Sequence, residues 1–459
     1  MSLKVAFHTL GCKVNQYETE AMAEQFKPKG YEIVGEEDFA DIYVINTCTV
    51  TNLADRKSRQ YIRRMKRVSP GAFVAVTGCY SQVKPEELKE MPEVDLVTGN
   101  GEKNRLIEYI EEGIKTRDYL LKVANTIGTP APKLPCIEKV LAYNELTEYT
   151  DKGIICSMEN RTRAYIKIQE GCDRFCSYCL IPFARGHVRS RNPKEIVEEA
   201  KALIDAGFRE IVLTGINTAL YGTEEGFTKK YGLEISGMET IIRDINNLPG
   251  EFRIRLSSLE PTVVNVEYVS KLLKYKKLCP HLHLSIQSGS NTVIKAMNRH
   301  YTRDEYLEIV KVLREHDPGY GITTDIIVGF PGENDHDFED SLDMVRRVKF
   351  AKVHAFKYSK RSGTVAEKLP DQVPGEIKNL RSDKLIEEGD KSSREFMESL
   401  IGTVRECLFE ESSGKYITGY ADNYVRVYVA GEESDINKLV KVKLLELYKD
   451  GMKGEIING

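Results

Sequence analysis

Short apolar runs alternate with amphipathic helical stretches along most of this chain, and that alternation restricts the fold more than any other feature. Lys4 to Leu10, Asp41 to Asn46, Ala72 to Thr77 and Val94 to Thr98 read as strands, with helices expected over Gln16 to Lys27, Ala54 to Val68, Pro85 to Met91 and Asn104 to Glu112. Strands separated by helices pair in parallel and are covered on both faces, so residues 1–120 are expected to form a small parallel α/β sheet domain. A second series follows, with strands at Arg163 to Gln169, Glu210 to Thr214, Phe252 to Leu256, His281 to Ile286, Ile322 to Val328 and Val353 to Phe356, and helices between them. It places a second α/β domain over residues 161–390. Residues 121–160, with Thr129-Pro130-Ala131-Pro132-Lys133-Leu134-Pro135, read as a linker with loosely packed strands. Over 391–459 the pattern changes to short alternating strands, Val404 to Glu410, Lys415 to Tyr420, Tyr424 to Val429 and Leu439 to Leu444, which predict a small all-β barrel.

In parallel sheets the chemistry sits in the loops past the carboxyl ends of the strands. Three such loops of the first domain carry a thiol each: Gly11-Cys12-Lys13, Thr47-Cys48-Thr49 and Gly78-Cys79-Tyr80. Each alone reads as a buried thiol; together they favour three thiolates at one sheet edge holding a 4Fe-4S cluster with an open iron. In the second domain the first strand runs into Gly171-Cys172-Asp173-Arg174-Phe175-Cys176-Ser177-Tyr178-Cys179, three thiols at i, i+4 and i+7. Three is one fewer than a closed zinc or 4Fe-4S site needs, and an open coordination position is a reactive one. Zinc would want a fourth ligand close by, and His187 lies eight residues beyond Cys179, so the cluster is the favoured reading. Cys136, Cys156, Cys279 and Cys407 are isolated and read as structural thiols.

Ten cysteines in a chain of 459 residues that lacks any apolar run of membrane-spanning length argue for metal chemistry rather than a disulfide framework, and for a cytoplasmic protein. The formal charge of -4 gives no global nucleic-acid signal. A local one exists. Arg56, Lys57, Arg59, Arg63, Arg64, Lys66 and Arg67 give one helix seven charges of the same sign beside the Cys48 loop, a candidate RNA-backbone contact against the plainer reading of a solvated face.

The CxxxCxxC spacing, with an aromatic before its last Cys, resembles the radical S-adenosylmethionine enzymes. Thr9-Leu10-Gly11-Cys12-Lys13-Val14-Asn15-Gln16-Tyr17-Glu18-Thr19-Glu20, Asn46-Thr47-Cys48-Thr49-Val50 and Thr77-Gly78-Cys79-Tyr80, ahead of that triplet, resemble the methylthiotransferases within them. The resemblance covers essentially the whole chain. It implies a partial (β/α)6 barrel for the second domain and an RNA-binding TRAM barrel for the third, where Tyr416, Tyr420, Tyr424 and Tyr428 are expected exposed for base stacking. It implies two 4Fe-4S clusters, on Cys12, Cys48 and Cys79 and on Cys172, Cys176 and Cys179, the latter binding S-adenosylmethionine. Tyr178, Thr214, Gly215, Asn217, Glu260, Gln287, Ser288 and Asp325, at the strand ends, are the candidate S-adenosylmethionine contacts. Lys13, Arg185, Arg189, Phe356, Tyr358 and Arg361 are the candidate substrate contacts.

The activity implied is attachment of a methylthio group to carbon 2 of an adenine, whose hydrogen is not acidic, so acid–base chemistry cannot replace it. Lys13-Val14-Asn15-Gln16 resembles the branch acting on N6-threonylcarbamoyladenosine in the tRNA anticodon stem-loop; the isopentenyladenosine and ribosomal-protein aspartate branches are the alternatives. A monomer supplied by an external electron donor and sulfur source is expected. A non-catalytic iron–sulfur RNA-binding protein is the competing reading outside the class; it would not cleave S-adenosylmethionine.

Overall fold

A computed structural model describes residues 2–127, 129, 135–149 and 162–457, so Cys156 lies outside the described residues. The chain divides into two units, one made of the described residues up to 149 with 170–175 and 179–189, the other of the remainder. No helix among the described residues is long and apolar enough to cross a membrane.

The first unit is built on β1 (Lys4–Thr9), β2 (Glu32–Val34), β3 (Ile42–Thr47), β4 (Phe73–Gly78), β5 (Leu96–Thr98) and β6 (Ile137–Lys139), all parallel, in the order β2-β1-β3-β4-β5-β6. β3 and β4 are buried along their whole length, which is why they read as continuous apolar runs rather than alternating ones. Ile42 and Val44 pack with Met22, Phe26, Leu106 and Ile110 on one face; Tyr43 and Ile45 pack with Ile62, Met65 and Leu88 on the other. The expected boundary at residue 120 is overturned. The helix Leu106–Ile127 runs through it with Ala124 buried, and Ile137–Lys139, inside the presumed linker, pairs with β5. Three residues are too few to show a period, so β2 and β6 escape sequence reading.

The second unit begins with β7 (Arg163–Glu170), whose last residue belongs to the first unit, and continues through β8 (Arg189–Ser190), whose first residue also does, β9 (Glu210–Gly215), β10 (Arg253–Leu256), β11 (His281–His283), β12 (Gly321–Val328) and β13 (Lys352–Lys357). Sheets β10-β9-β7-β8 and β11-β12-β13 are joined by parallel bridges Ile254↔Leu278 and Leu259↔Leu284. The six expected strands therefore follow one another around a curled half-barrel, with β8 added. Its last part carries β14 (Val404–Ser413), β15 (Tyr416–Ala421), β16 (Arg426–Val429), β17 (Leu439–Tyr448) and β18 (Gly451–Ile456), a closed barrel ordered β14-β15-β16-β18-β17 around Phe409, Ile417, Val427, Val442, Leu444 and Met452. The boundary expected at 390 falls inside the helix Gly375–Glu398, where Gly389 leaves room for Val353 of β13.

Barrel and half-barrel are tied by charge. Glu210 accepts from Arg253 (2.6 Å) and Arg255 (2.7 Å), which reach on to the carbonyls of Glu406, Tyr420 and Asp422. The tyrosines expected exposed for base stacking are largely occupied. Tyr424 stacks on His281 (4.6 Å) and Tyr420 (5.0 Å) and Arg163 lies over Tyr420, because that side of the barrel packs on the half-barrel, while Tyr428 is buried against Tyr416 and Tyr448 of the barrel itself.

Candidate functional site

In the first unit, β1 pairs with β3 up to Thr9↔Asn46 and β3 with β4 up to Thr47↔Gly78, so the next residues of all three strands leave the sheet at one edge. Cys12 follows β1 and precedes the helix Lys13–Phe26; Cys48 follows β3; Cys79 opens the helical turn Cys79–Val83 after β4. Gly11 and Gly78 make this possible. Gly11 has φ +116°, and a Cβ on it would lie 2.8 Å from the Cys48 Cβ; at Gly78, φ +103°, a Cβ would lie 2.4 Å from the Thr47 carbonyl. Asn15 Nδ2 donates to the carbonyls of Leu10 (2.7 Å) and Thr47 (3.0 Å), tying two of the loops together. Burial, then the Cys79 and Cys12 sulfurs, push the Cys48 thiol up to about 12. A buried Cys48 thiol whose ionisation its neighbouring sulfurs oppose belongs to a donor set that a multiply charged metal centre fits.

Beneath the thiols lies Arg185, fully buried. Its Nε donates to Cys79 Sγ (3.2 Å), Nη1 to Glu170 Oε1 (2.8 Å) and Glu18, and Nη2 to Asn15 Oδ1 (2.5 Å) and Glu18 Oε2 (3.1 Å). A guanidinium has five N–H groups, and all five are engaged. Burial alone would lower the Arg185 pKa; Cys79, Glu18 and Glu170 outweigh it. Lys103 also binds Glu18. Arg185 was expected to meet a substrate anion, and that expectation is corrected: every donor is already committed. Arg189 is likewise buried, with Nη1 on the carbonyls of Leu146 (2.6 Å) and Arg185 (2.8 Å). Lys13 remains half-buried at the head of its helix.

Within this unit the triplet loop starts at Gly171, φ +74°, where a Cβ would lie 1.7 Å from the His187 carbonyl. Cys172 N donates to Gly186 O (3.0 Å), and the Asp173 carboxylate accepts from Val188 N (3.0 Å) and meets His187 Nδ1 (2.8 Å). His187 is thus held by a carboxylate. Cys179 Sγ accepts from Ile181 N (3.4 Å).

In the second unit Ser177 N donates to Met297 O (3.0 Å), and the Tyr178 hydroxyl accepts from Arg299 Nη2 (3.1 Å), its ring edge-on to Phe330. At the end of β9, Thr214 is buried and Gly215 lies against Gln169, where a Cβ would be 3.0 Å from the Gln169 carbonyl. Asn217 donates through Nδ2 to Glu260 (3.0 Å), and its buried Oδ1 has no partner among the described residues. Arg299, not anticipated from sequence, pairs with Glu260 (3.4 Å), and its buried Nε has no hydrogen-bond partner among the described residues. An unmet acceptor, a carboxylate and a buried guanidinium with an unused donor suit the amine and carboxylate of an amino-acid group. A lone arginine after a helix end offers a sequence reader no signal for this.

Gln287, φ +64°, bridges to β12, its backbone N on Asp325 O (2.8 Å). Ser288 does not join the set as expected: it is fully buried, facing Ser341 and the Ser290 amide. Tyr358 is also corrected, because its ring packs on Phe330 (5.5 Å) in a cluster with Val293 and Met297. Arg361 is buried; Phe356 is 49% exposed.

Residues 166–345 match the family profile described as the radical SAM superfamily, and residues 4–99 match the uncharacterized protein family UPF0004. The chain is 42% identical to the threonylcarbamoyladenosine tRNA methylthiotransferase MtaB of Bacillus subtilis, covering 96% of this chain and 94% of that protein. It is 34% identical to the tRNA-2-methylthio-N(6)-dimethylallyladenosine synthase of Moorella thermoacetica, covering 98% of each. Among solved structures, a radical S-adenosylmethionine methyltransferase of Kitasatospora setae superposes with TM-score 0.54 at 15% identity, covering 77% of this chain and 73% of that one, a likeness of fold alone.

Proposed function

The chain belongs to the radical S-adenosylmethionine methylthiotransferases, and from that membership we propose that it attaches a methylthio group to carbon 2 of N6-threonylcarbamoyladenosine beside the anticodon of tRNA. The observation that carries the substrate is 42% identity, nearly end to end, with a protein named for threonylcarbamoyladenosine, against 34% with one named for dimethylallyladenosine.

Cys172, Cys176 and Cys179 would hold the cluster that the superfamily implies, and Cys12, Cys48 and Cys79 a second one. When bound, these clusters and S-adenosylmethionine supply the electron, the radical chemistry and the sulfur that an inert C–H bond requires. The chain's own residues position and shield. Arg185 fixes Cys79 and excludes water beneath it. Asn217 Oδ1 and Glu260 would accept from the methionine ammonium and Arg299 would donate to its carboxylate, with Tyr178, Thr214, Gly215 and Gln287 bordering the same strand ends. Lys13 and Phe356 are the substrate-side contacts of the expected set that remain reachable. Turnover consumes electrons and sulfur, so an external reductant and a sulfur source act with this protein, which works as a cytoplasmic monomer.

Nucleoside mass spectrometry tests the reading. The anaerobically reconstituted protein is incubated with reductant, a sulfur source, S-adenosylmethionine and tRNA bearing either modified adenosine. A methylthio increment on threonylcarbamoyladenosine alone is expected. An increment on isopentenyladenosine alone overturns the substrate, and 5'-deoxyadenosine without either increment overturns tRNA as the acceptor.

A further inference from the structure

The inner face of the half-barrel carries a group of side chains that the chemistry above does not use. Along β11, β12 and β13, alternate residues point away from the covering helices. Leu282, Ile322, Ile326 and Val328 are buried beneath them, while His283, Asp325, Ile327, His354 and Phe356 are partly or largely exposed on the opposite side. β12 and β13 pair with Asp325 beside His354, and β11 and β12 pair with His283 beside Thr323. One imidazole nitrogen of His283, one of His354 and a carboxylate oxygen of Asp325 lie within 4.8 Å of one another.

We propose that His283, Asp325 and His354 form a binding site for a divalent transition-metal ion of the zinc or iron(II) type. Two imidazoles and one carboxylate are the donor set such ions take, with positions left open for water or another ligand, whereas magnesium and calcium prefer oxygen alone. Two supports hold the donors in place. Thr323 Oγ1 sits 2.9 Å from His283 Nδ1, which fixes the ring and turns Nε2 toward Asp325 (3.1 Å); Ser285 Oγ donates to Asp325 Oδ2 (3.0 Å). Outer partners of this kind orient metal-binding histidines and carboxylates. The three donors stand on adjacent paired strands, so binding requires no loop to order. Among the described residues no lysine or arginine pairs with Asp325; its ion pair is with His283. Asp325, expected at the S-adenosylmethionine, is thereby assigned to the metal. The proposal does not rest on the tRNA reading.

The test is zinc binding to the full-length, cluster-loaded protein, by equilibrium dialysis with zinc sulfate, elemental analysis and X-ray absorption. The expected result is one zinc per chain with a nitrogen and oxygen shell at about 2.0–2.1 Å and no sulfur at about 2.3 Å. His354→Ala and Asp325→Asn should each weaken it by more than roughly 100-fold, beyond the roughly 10- to 100-fold cost of losing an outer partner, with iron content unchanged. His354 is exposed on an edge strand, so its substitution leaves the fold intact, and circular dichroism checks this. Sulfur-bound zinc only, equal binding by wild type and both variants, or no zinc bound overturns the proposal.

Discussion

The most consequential single residue is Arg185. Removing it would take the shared guanidinium from two buried carboxylates, Glu18 and Glu170, while Lys103 still pairs with Glu18 and Arg189 with Glu170 (3.5 Å), and breaking a buried pair by deleting one partner costs up to roughly 3–5 kcal/mol. Arg185→Met should therefore lower the unfolding free energy by about that amount in urea titration, and Arg185→Lys should recover little, since an ammonium cannot reproduce five planar donors. A substrate-contact role would instead leave stability unchanged and alter only turnover. Charge at Glu210 gives a pH signature. Burial would raise its carboxyl, and Arg255, Arg253 and Arg163 outweigh that, holding it well below the usual carboxylate range. A carboxyl lowered in the folded state adds stability above its unfolded pKa of about 4.3, and that stability is lost as pH falls toward the folded value. Glu210→Gln should be less stable at neutral pH and should lose stability less steeply than wild type below roughly pH 4, measured by denaturant unfolding across the acid range.

Among the elements, the helix Asn52–Val68 separates two readings of a charge run. Its apolar side, Tyr61, Ile62 and Met65, is buried against the sheet, and Thr51 caps its start on Ala54 N (3.2 Å). Three of the seven basic residues are spent within the fold: Arg59 on Tyr80 (2.5 Å), Lys66 on Asp95 (3.0 Å) and Arg64 on Glu37. Arg56, Lys57, Arg63 and Arg67 are exposed, with no ion pair among the described residues. If these four meet tRNA phosphates, alanine at all of them should weaken binding and lower the slope of log affinity against log salt by roughly one per lost contact. An unchanged slope in salt-titrated binding would reduce the helix to a solvated face.

At the scale of the whole molecule, the alternation of strands and helices and the positions of the six clustered cysteines were written in the sequence, because period and strand-end position are local properties. The parallel sheet and the closing all-β barrel follow from them, and the half-barrel was what the family resemblance implied for the second series of strands. The three-residue strands β2 and β6 and the domain boundaries did not, since so short a run shows no period and a boundary depends on contacts distant in the chain; β18, six residues paired with β17 across a tight turn, was missed although its partner is its neighbour in the chain. The same limit governed the sites. Arg185, Arg189, Tyr358 and Ser288 have suitable chemistry and adjacent motifs, yet all four are buried and the polar groups of Arg185 and Ser288 are committed within the fold: Arg185 meets Glu18 from 167 residues away. Conversely, Arg299 beside Glu260 and His283 beside Asp325 carry no motif, and the motif-like stretch that begins at His354 does not say that His354 lies beside Asp325. The sequence by itself determined which residue types stand at the ends of which strands. Only the tertiary structure decided which polar groups still face outward, because a hydrogen bond or ion pair formed across the fold uses up a donor whose availability no local pattern records.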